Sequence, residues 1–444
     1  MDPATFDRVD GVTLFEDIYG KQTTVGQYED ALERNVIVNL CPGTPTPADL
    51  REATRMIRDA TVTLTKSDYS MDGNLLQYGA QLGSARFRTE LSVFLSEQYG
   101  DTVLPKNVMV TNGASPSLLS VCKALFSPGS TVFAEDPTFF NALKIFKDVF
   151  QFNLIGVPTD KDGMQVDILE EQLEEHFGSK NFTGTSHRPF QCMIYTMPTF
   201  HNPTGTCLSH ARCAKVIQLA RKFEALVFCD DVYNMLHYNG QATAPPRLLT
   251  FDKPSDLDYK GHVISNGTFS KILGPGVRLG WVEAGDRLMH LFFDSVCMHP
   301  AGSNNHFMSE VVAEIMAAGW LRQHTQDLRL QYSDILQDIM MIFKQHLPRE
   351  MTVRNLEGGY FFWLELPARC NATRVAELAK DKHNVLVIPG WRFSMSGSYQ
   401  NCIRIAFTFN EKAVVIHGVT KLCDAIKEHL NELPAVEADV KNTV

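Results

Sequence analysis

The feature that most constrains this 444-residue chain is a rhythm between about residues 100 and 285. Short, nearly continuous apolar runs at 108–111, 131–134, 192–195, 226–229, 263–266 and 280–283 alternate with stretches long enough for a helix. A strand that faces water on one side alternates polar and apolar residues. Runs without that alternation belong to strands buried on both faces, as in a mostly parallel sheet between helices. The gaps suit right-handed crossover helices. Polar residues gather just after the C-terminal ends of the runs, where open α/β sheets form their ligand sites.

Beyond about residue 305 the texture changes. Residues 309–318 are apolar at helical spacing, and a charged helical pattern continues to about 343. An aromatic strand-like run follows at 358–364 and a second strand-like run at 384–390. Residues 401–407 alternate at period two, and a last helix covers about 411–431. These elements read as a smaller α+β unit. The expected division is 1–60, an N-terminal segment joining the small unit or a dimer interface; 61–305, a large ligand-binding domain; and 306–444, a small C-terminal domain. The tail after Pro434 is polar and is expected to fray.

Composition removes several classes of function. A formal net charge of −10 argues against nucleic-acid and anionic-membrane partners, which select basic surfaces. No run of 18 apolar residues predicts a membrane span. The first seven residues, with Asp2 and Asp7, lack the patterns of secretory and transit peptides. The last four, Lys441 to Val444, match no retention, peroxisomal or prenylation signal. Ten cysteines are scattered without a CxxC or a histidine cluster at ligand spacing. They read as reduced thiols, so no metal site is expected and the cytoplasm is the expected location by elimination.

Three motifs carry chemistry. Lys271 sits just after a buried strand, with Thr268 and Ser270 before it and Arg278 seven residues later. Two hydroxyls and a guanidinium near a lysine make a phosphate site beside an amine able to form a Schiff base. Gly274-Pro275-Gly276 permits the sharp turn between Lys271 and Arg278. The glycines at 274, 276 and 280 do not have dinucleotide-fingerprint spacing. Asp230, in Phe228-Cys229-Asp230-Asp231-Val232-Tyr233, ends another strand. A carboxylate there can keep a pyridine nitrogen protonated, and Tyr233 can donate to a ring hydroxyl. Asp231 is expected to cap a following helix. The third motif is Asn202-Pro203-Thr204-Gly205, whose Asn202 amide can bond a ring oxygen.

In this order the motifs resemble the class I/II aminotransferases of the fold-type I pyridoxal-phosphate (PLP) enzymes, most of all the kynurenine/2-aminoadipate branch, over about residues 36–430. The resemblance implies a large domain with a mostly parallel seven-stranded sheet between helices and a smaller α+β domain. It implies a phosphate-cradling turn at Gly113-Ala114-Ser115, although the commoner form has a hydroxyl at 114 and an amide at 115. A helix N-terminus there favours an anion, and Pro116 suits a first helical turn. It implies that Phe139 stacks on the pyridine, where many relatives have Tyr. It implies further that Tyr78 reaches the phosphate of a neighbouring subunit, that Gly43 closes over the substrate, and that Arg404 clamps its α-carboxylate.

The activity implied is transfer of an amino acid's α-amino group to a 2-oxo acid by a ping-pong route through a Lys271 Schiff base, in a homodimer with shared sites. A same-fold enzyme that decarboxylates, eliminates, replaces or oxidises is the alternative reading, and a non-catalytic PLP-binding regulatory module is the remote one. For the donor, Phe200, Phe393 and Tyr360 suggest an aromatic or long side chain if they line the pocket; they are equally readable as core. Arg392 is the candidate second carboxylate receptor.

Overall fold

The computed structural model describes residues 38–66, 73–178, 182–238, 240–348, 350–351 and 353–434. The expectations for residues 1–37 and for the tail from 435 lie outside the described residues.

A two-residue strand, β1 (Val38–Asn39), opens the described chain. The large sheet contains β2 (Val108–Thr111), β3 (Thr131–Asp136), β4 (Asn153–Asp160), β5 (Gly163–Met164), β6 (Cys192–Thr196), β7 (Ala225–Asp230), β8 (Val263–Thr268) and β9 (Gly280–Ala284). Its order is β2-β9-β8-β7-β6-β3-β4-β5. Strands β4, β3, β6, β7 and β8 run parallel, β9 runs against both its neighbours, and β5 folds back on β4.

The sheet has the expected architecture with one strand more than the expected seven. The addition is β5, which follows a turn at 161–162 and needs the positive φ of Gly163 (86°). β4 lies next to it near the sheet's edge. Its half-buried sequence, broken by Gly156 and Pro158, never forms the continuous apolar run that marks the central strands.

Adjacent residues of those central strands feed two different cores. Val132, Met193, Leu226 and Ile264 pack with Leu118, Val121 and Leu125 of the helix Ala114–Leu125. Phe133, Ile194, Val227 and Val263 pack on the other face with Leu169 and Leu173 of Val166–Phe177 and with Val216 and Ile217 of His210–Lys222. Burial on both faces is why the alternation disappears, and each such side chain contributes about 1.5–3 kcal/mol.

Three further strands form a second sheet: β10 (Phe361–Glu365), β12 (Ile388–Pro389) and β13 (Cys402–Ala406), antiparallel in the order β10-β13-β12. The remaining strand, β11 (Val385–Leu386), pairs in parallel with β1. The chain then leaves β1 beside the small sheet, where Leu40 O accepts from Ala406 N at 2.8 Å. From there it runs past the C-terminal edge of the large sheet into the helix Pro47–Thr65. Thr46 and Asp49 close a reciprocal capping box at that helix start. Asp49 also accepts from Tyr332 Oη at 3.1 Å, tying the helix to Trp320–His346. Among the described residues no helix is long and apolar enough to cross a membrane.

Candidate active site

The C-terminal ends of β6, β7 and β8 bring the sequence motifs together. Asp230 ends β7 with its carboxylate buried. Oδ2 accepts from Tyr195 Oη of β6 at 2.9 Å, and Oδ1 from Asn266 Nδ2 of β8 at 2.9 Å. Burial pushes the carboxyl up to about 6; the two hydrogen bonds pull it down only in part. Both donors are neutral, so neither cancels the charge.

Lys271 follows β8. Its Nζ donates to Gly43 O at 2.7 Å and stands 5.7 Å from the Tyr233 ring centre and 5.8 Å from that of Tyr360. Tyr360 Oη donates to Lys271 O at 2.8 Å, which fixes the lysine backbone. Burial brings the ammonium down to about 8, with Arg404 and then Arg278 adding to the effect against Asp230. An amine near neutrality suits a base or a nucleophile.

Arg404 lies in β13, opposite Trp363 and Ile388 in the small sheet. Nη1 donates to Asn202 Oδ1 at 3.1 Å and Nη2 to Cys41 O. The guanidinium lies over Phe361 at 4.2 Å and Phe393 at 4.8 Å, a setting that favours a planar cation. Gly43 is tightly placed: a Cβ there would meet Phe361 Cζ at 2.5 Å. Tyr233 packs against Tyr360 and Phe361, at 5.2 and 5.6 Å between ring centres.

An anion cradle faces these groups. Gly113, at φ 104°, starts the helix Ala114–Leu125 without a side-chain cap. A Cβ on Gly113 would lie 3.4 Å from Arg278 Nη2. Arg278 itself has φ 48°, and Asn305 Nδ2 pins its loop by donating to Val277 O and Arg278 O at 3.0 and 2.7 Å. Thr268 Oγ1 bonds Ser270 Oγ at 3.0 Å. Thr111 Oγ1 and Ser117 Oγ are buried hydroxyls without a hydrogen-bond partner. A bare helix N-terminus, a guanidinium and spare hydroxyls are the donor set a phosphate requires. Buried Asp230, lacking a cationic hydrogen-bond partner, likewise suits a protonated pyridine. The residues therefore fit pyridoxal phosphate.

Other expected positions are placed less centrally. Ala114 is half-buried and spends its carbonyl on Asn266 Nδ2 at 3.2 Å, while Ser115 is exposed. Phe139 is half-buried, 5.4 Å from Phe140, which in turn sits 5.5 Å from Phe393. Tyr78 is 71% exposed, so its ring projects away from the protein interior. Asp231 caps no helix: bends and turns follow it, and its Oδ2 accepts from Ser265 Oγ at 2.5 Å. Phe200 is core, because Gly358 and Gly359 press against its ring and Cβ. Arg392 lies over Trp391 at 5.3 Å.

Residues without an expected role also enter the site. Asn266 faces Asp230 in the β7–β8 register, and Tyr195 reaches it from β6. Both sit inside apolar runs, and only the strand order reveals them.

The model of the family "Aminotransferase class I and II" matches residues 35–422. Aromatic-amino-acid aminotransferase 1 of Thermococcus litoralis is 26% identical over 415 residues, 93% of each chain. The 2-aminoadipate transaminase of Thermus thermophilus is 25% identical over 91% of this chain and 94% of its own. The crystal structure of Pyrococcus horikoshii kynurenine aminotransferase in complex with PMP superposes with a TM-score of 0.76 at 28% identity. It covers 96% of this chain and 99% of that one.

Proposed function

We propose, from the premise that this chain belongs to the class I and II aminotransferases and is a PLP-dependent enzyme, that it moves the α-amino group of a long or aromatic amino acid, 2-aminoadipate-like donors included, to a 2-oxo acid by a ping-pong route. The observation that carries this reading is the placement of Lys271 just after β8, its Nζ 2.7 Å from Gly43 O near buried Asp230 and the Arg404 of the small sheet, with burial bringing the ammonium down to about 8.

Each residue then has a task. PLP, when bound, supplies an electron sink for the bonds at the substrate Cα. Lys271 would hold the cofactor and, as a free amine, would take the proton from the substrate Cα and deliver it to the cofactor carbon. Arg404 grips the α-carboxylate through its planar fork, and Gly43 closes over the substrate. Asn202 bonds the carboxylate clamp through Oδ1 and leaves its Nδ2 for the cofactor ring. Asp230 would hold a proton on the ring nitrogen, Tyr233 would donate to the ring oxygen, and Phe139 would face the ring. Gly113, Ala114 and Ser115 offer backbone N–H groups to the phosphate, with Thr268, Ser270 and Arg278 around it. Tyr78 serves the partner subunit's phosphate, which makes a homodimer part of the reading; its exposure supports that assignment. The reading keeps the division into 1–60, 61–305 and 306–444 and a cytoplasmic location.

The test is a panel of amino donors followed by half-reaction spectroscopy. Conversion of donor to 2-oxo acid, with return of the amino group to a second oxo acid, supports the reading. Release of ammonia, CO₂ or peroxide without amino transfer supports elimination, decarboxylation or oxidation instead.

A further inference from the structure

One buried carboxylate beside the site has no task in that scheme. Glu135 lies in β3 and is 1% exposed. Its Oε1 accepts from Thr196 Oγ1 at 3.0 Å and its Oε2 from Met197 N at 2.8 Å, both at the end of β6. His201, 2% exposed, brings Nε2 to 3.3 Å from Glu135 Oε2. On the other side of the ring, Nδ1 lies 2.8 Å from Thr204 Oγ1, which meets Thr206 Oγ1 at 2.7 Å. The backbone is held as firmly: His201 N donates to Thr206 O at 2.9 Å, and Gly205 N to His201 O at 2.6 Å. The next residue is Asn202.

We propose that Glu135 and His201 are a positioning pair that ties the 201–206 turn to the ends of β3 and β6, and so sets the direction of the Asn202 amide. The inference deepens the reading above and rests on its assignment of Asn202 to clamp and cofactor.

Three considerations lead there. An asparagine on a turn is aimed only as well as its backbone is held, and this turn meets the sheet through His201. Glu135 is shared by β3, β6 and the turn, so one side chain fixes their relative placement. Finally, burying a carboxylate is expensive, and mere filling of this space would be served more cheaply by hydrocarbon. A buried polar network is favoured where one geometry must be specified. With Nδ1 engaged by the Thr204 hydroxyl, Nε2 is the nitrogen left on the Glu135 side of the ring, 3.3 Å from Oε2 and without a closed hydrogen bond.

The experiment is a double-mutant cycle on the PLP-loaded protein, using His201→Phe, His201→Gln, Glu135→Gln and Asn202→Ala. The readouts are KM and kcat for the amino donor, cofactor Kd by equilibrium dialysis, and the thermal midpoint. His201→Phe and Glu135→Gln are each expected to raise KM about tenfold and to weaken cofactor retention, with kcat within about threefold. His201→Gln, which keeps a polar group towards Glu135, should recover most of the loss. In the Asn202→Ala background, His201→Phe should add less than about twofold. Should His201→Phe fail to fold, Glu135→Gln is carried through the same cycle. The proposal is overturned if the second substitution costs its full factor in the Asn202→Ala background. It is also overturned if only the thermal midpoint moves. If Asn202→Ala alone leaves KM and Kd unchanged, the role of Asn202 itself falls, and that single variant separates the two failures.

Discussion

Arg247 and Glu283 meet directly inside the protein, whereas Lys271 and Asp230, also enclosed, hydrogen-bond neutral partners. Arg247 is 1% exposed, donates to Glu283 of β9, reaches Asp101 Oδ2 at 3.3 Å and lies 4.1 Å over the Tyr99 ring. Burial pulls its guanidinium down, but Glu283 and Tyr99 outweigh that and leave it above its ordinary value, while burial still raises the Glu283 carboxyl in spite of Arg247. At the strand ends burial wins for charges of both signs, pushing Asp230 up and Lys271 down. The first cluster satisfies its charges internally. On the proposed reading, the second leaves the charges of Lys271 and Asp230 to be matched by a bound cofactor, which is what a ligand site needs and a merely stable core avoids.

The sharpest way to break this contrast is at the lysine. Lys271→Ala should lower kcat by more than about 10³-fold and abolish the covalently bound cofactor's absorbance band. It should not destabilise the cofactor-free protein, because it removes a charge that burial penalises. Half-reaction spectroscopy and thermal unfolding of the apoprotein check the two parts. A retained band, or a destabilised apoprotein with activity intact, would place Lys271 with the structural cluster.

The mirror-image experiment is Arg247→Met. Leaving Glu283 buried without its cation should cost about 3–5 kcal/mol in denaturant unfolding, while kcat per folded molecule stays within about twofold. Adding Glu283→Leu should recover most of the stability, since a hydrophobic pair of similar volume replaces the ionic one. If Arg247→Met instead lowers kcat in the folded protein, the two clusters are not separable.

The contrast also explains what was legible beforehand. Asn202, Asp230 and Lys271 each follow a continuous apolar run, so position along the chain is enough to find them. Partnerships across strands are different. Asp230 meets Asn266 because β7 neighbours β8, and Arg247 meets Glu283 across 36 residues, neither of which a linear pattern encodes. The cap expected of Asp231 failed for a related reason: Ser265 on the next strand supplies the hydroxyl that engages its carboxylate. The sheet itself was readable at its centre and lost at one edge, where β4 is only half-buried and β5 is two residues long.

A pH experiment sharpens the comparison further. Only the neutral amine attacks the cofactor aldehyde, so capture of PLP by the apoprotein should slow about tenfold per pH unit below about 8 and level off above it. A lysine at the ordinary 10.5 would still be climbing at pH 10. Because the folded value lies below the unfolded one, the same group costs stability at pH below about 8. That cost is relieved as pH rises towards 10.5. Stopped-flow capture and apoprotein melting should show the two effects together, and Lys271→Met should lose both. Arg404→Leu should move the capture midpoint upwards, since Arg404 ranks next after burial among the groups that depress Lys271.

The smallest expected effect concerns the cradle. Ala114 stands at the first position of its helix and is half-buried beside Gly113, with a carbonyl engaged by Asn266 and no side-chain donor of its own. Ala114→Ser would add one hydroxyl at the positive end of the helix. A net hydrogen bond is worth about 0.5–1.5 kcal/mol, so cofactor Kd should fall by about 2–10-fold if that hydroxyl reaches the phosphate. Equilibrium dialysis of the single variant measures this. Unchanged affinity would mean that Thr268, Ser270 and the backbone already saturate the phosphate oxygens, and that the strand-end cluster is as self-sufficient towards its anion as Arg247 and Glu283 are towards each other. Tighter binding would mean that this chain holds its cofactor with one donor fewer than its cradle can accommodate, which is the sense in which the site leaves charge for its ligand to match.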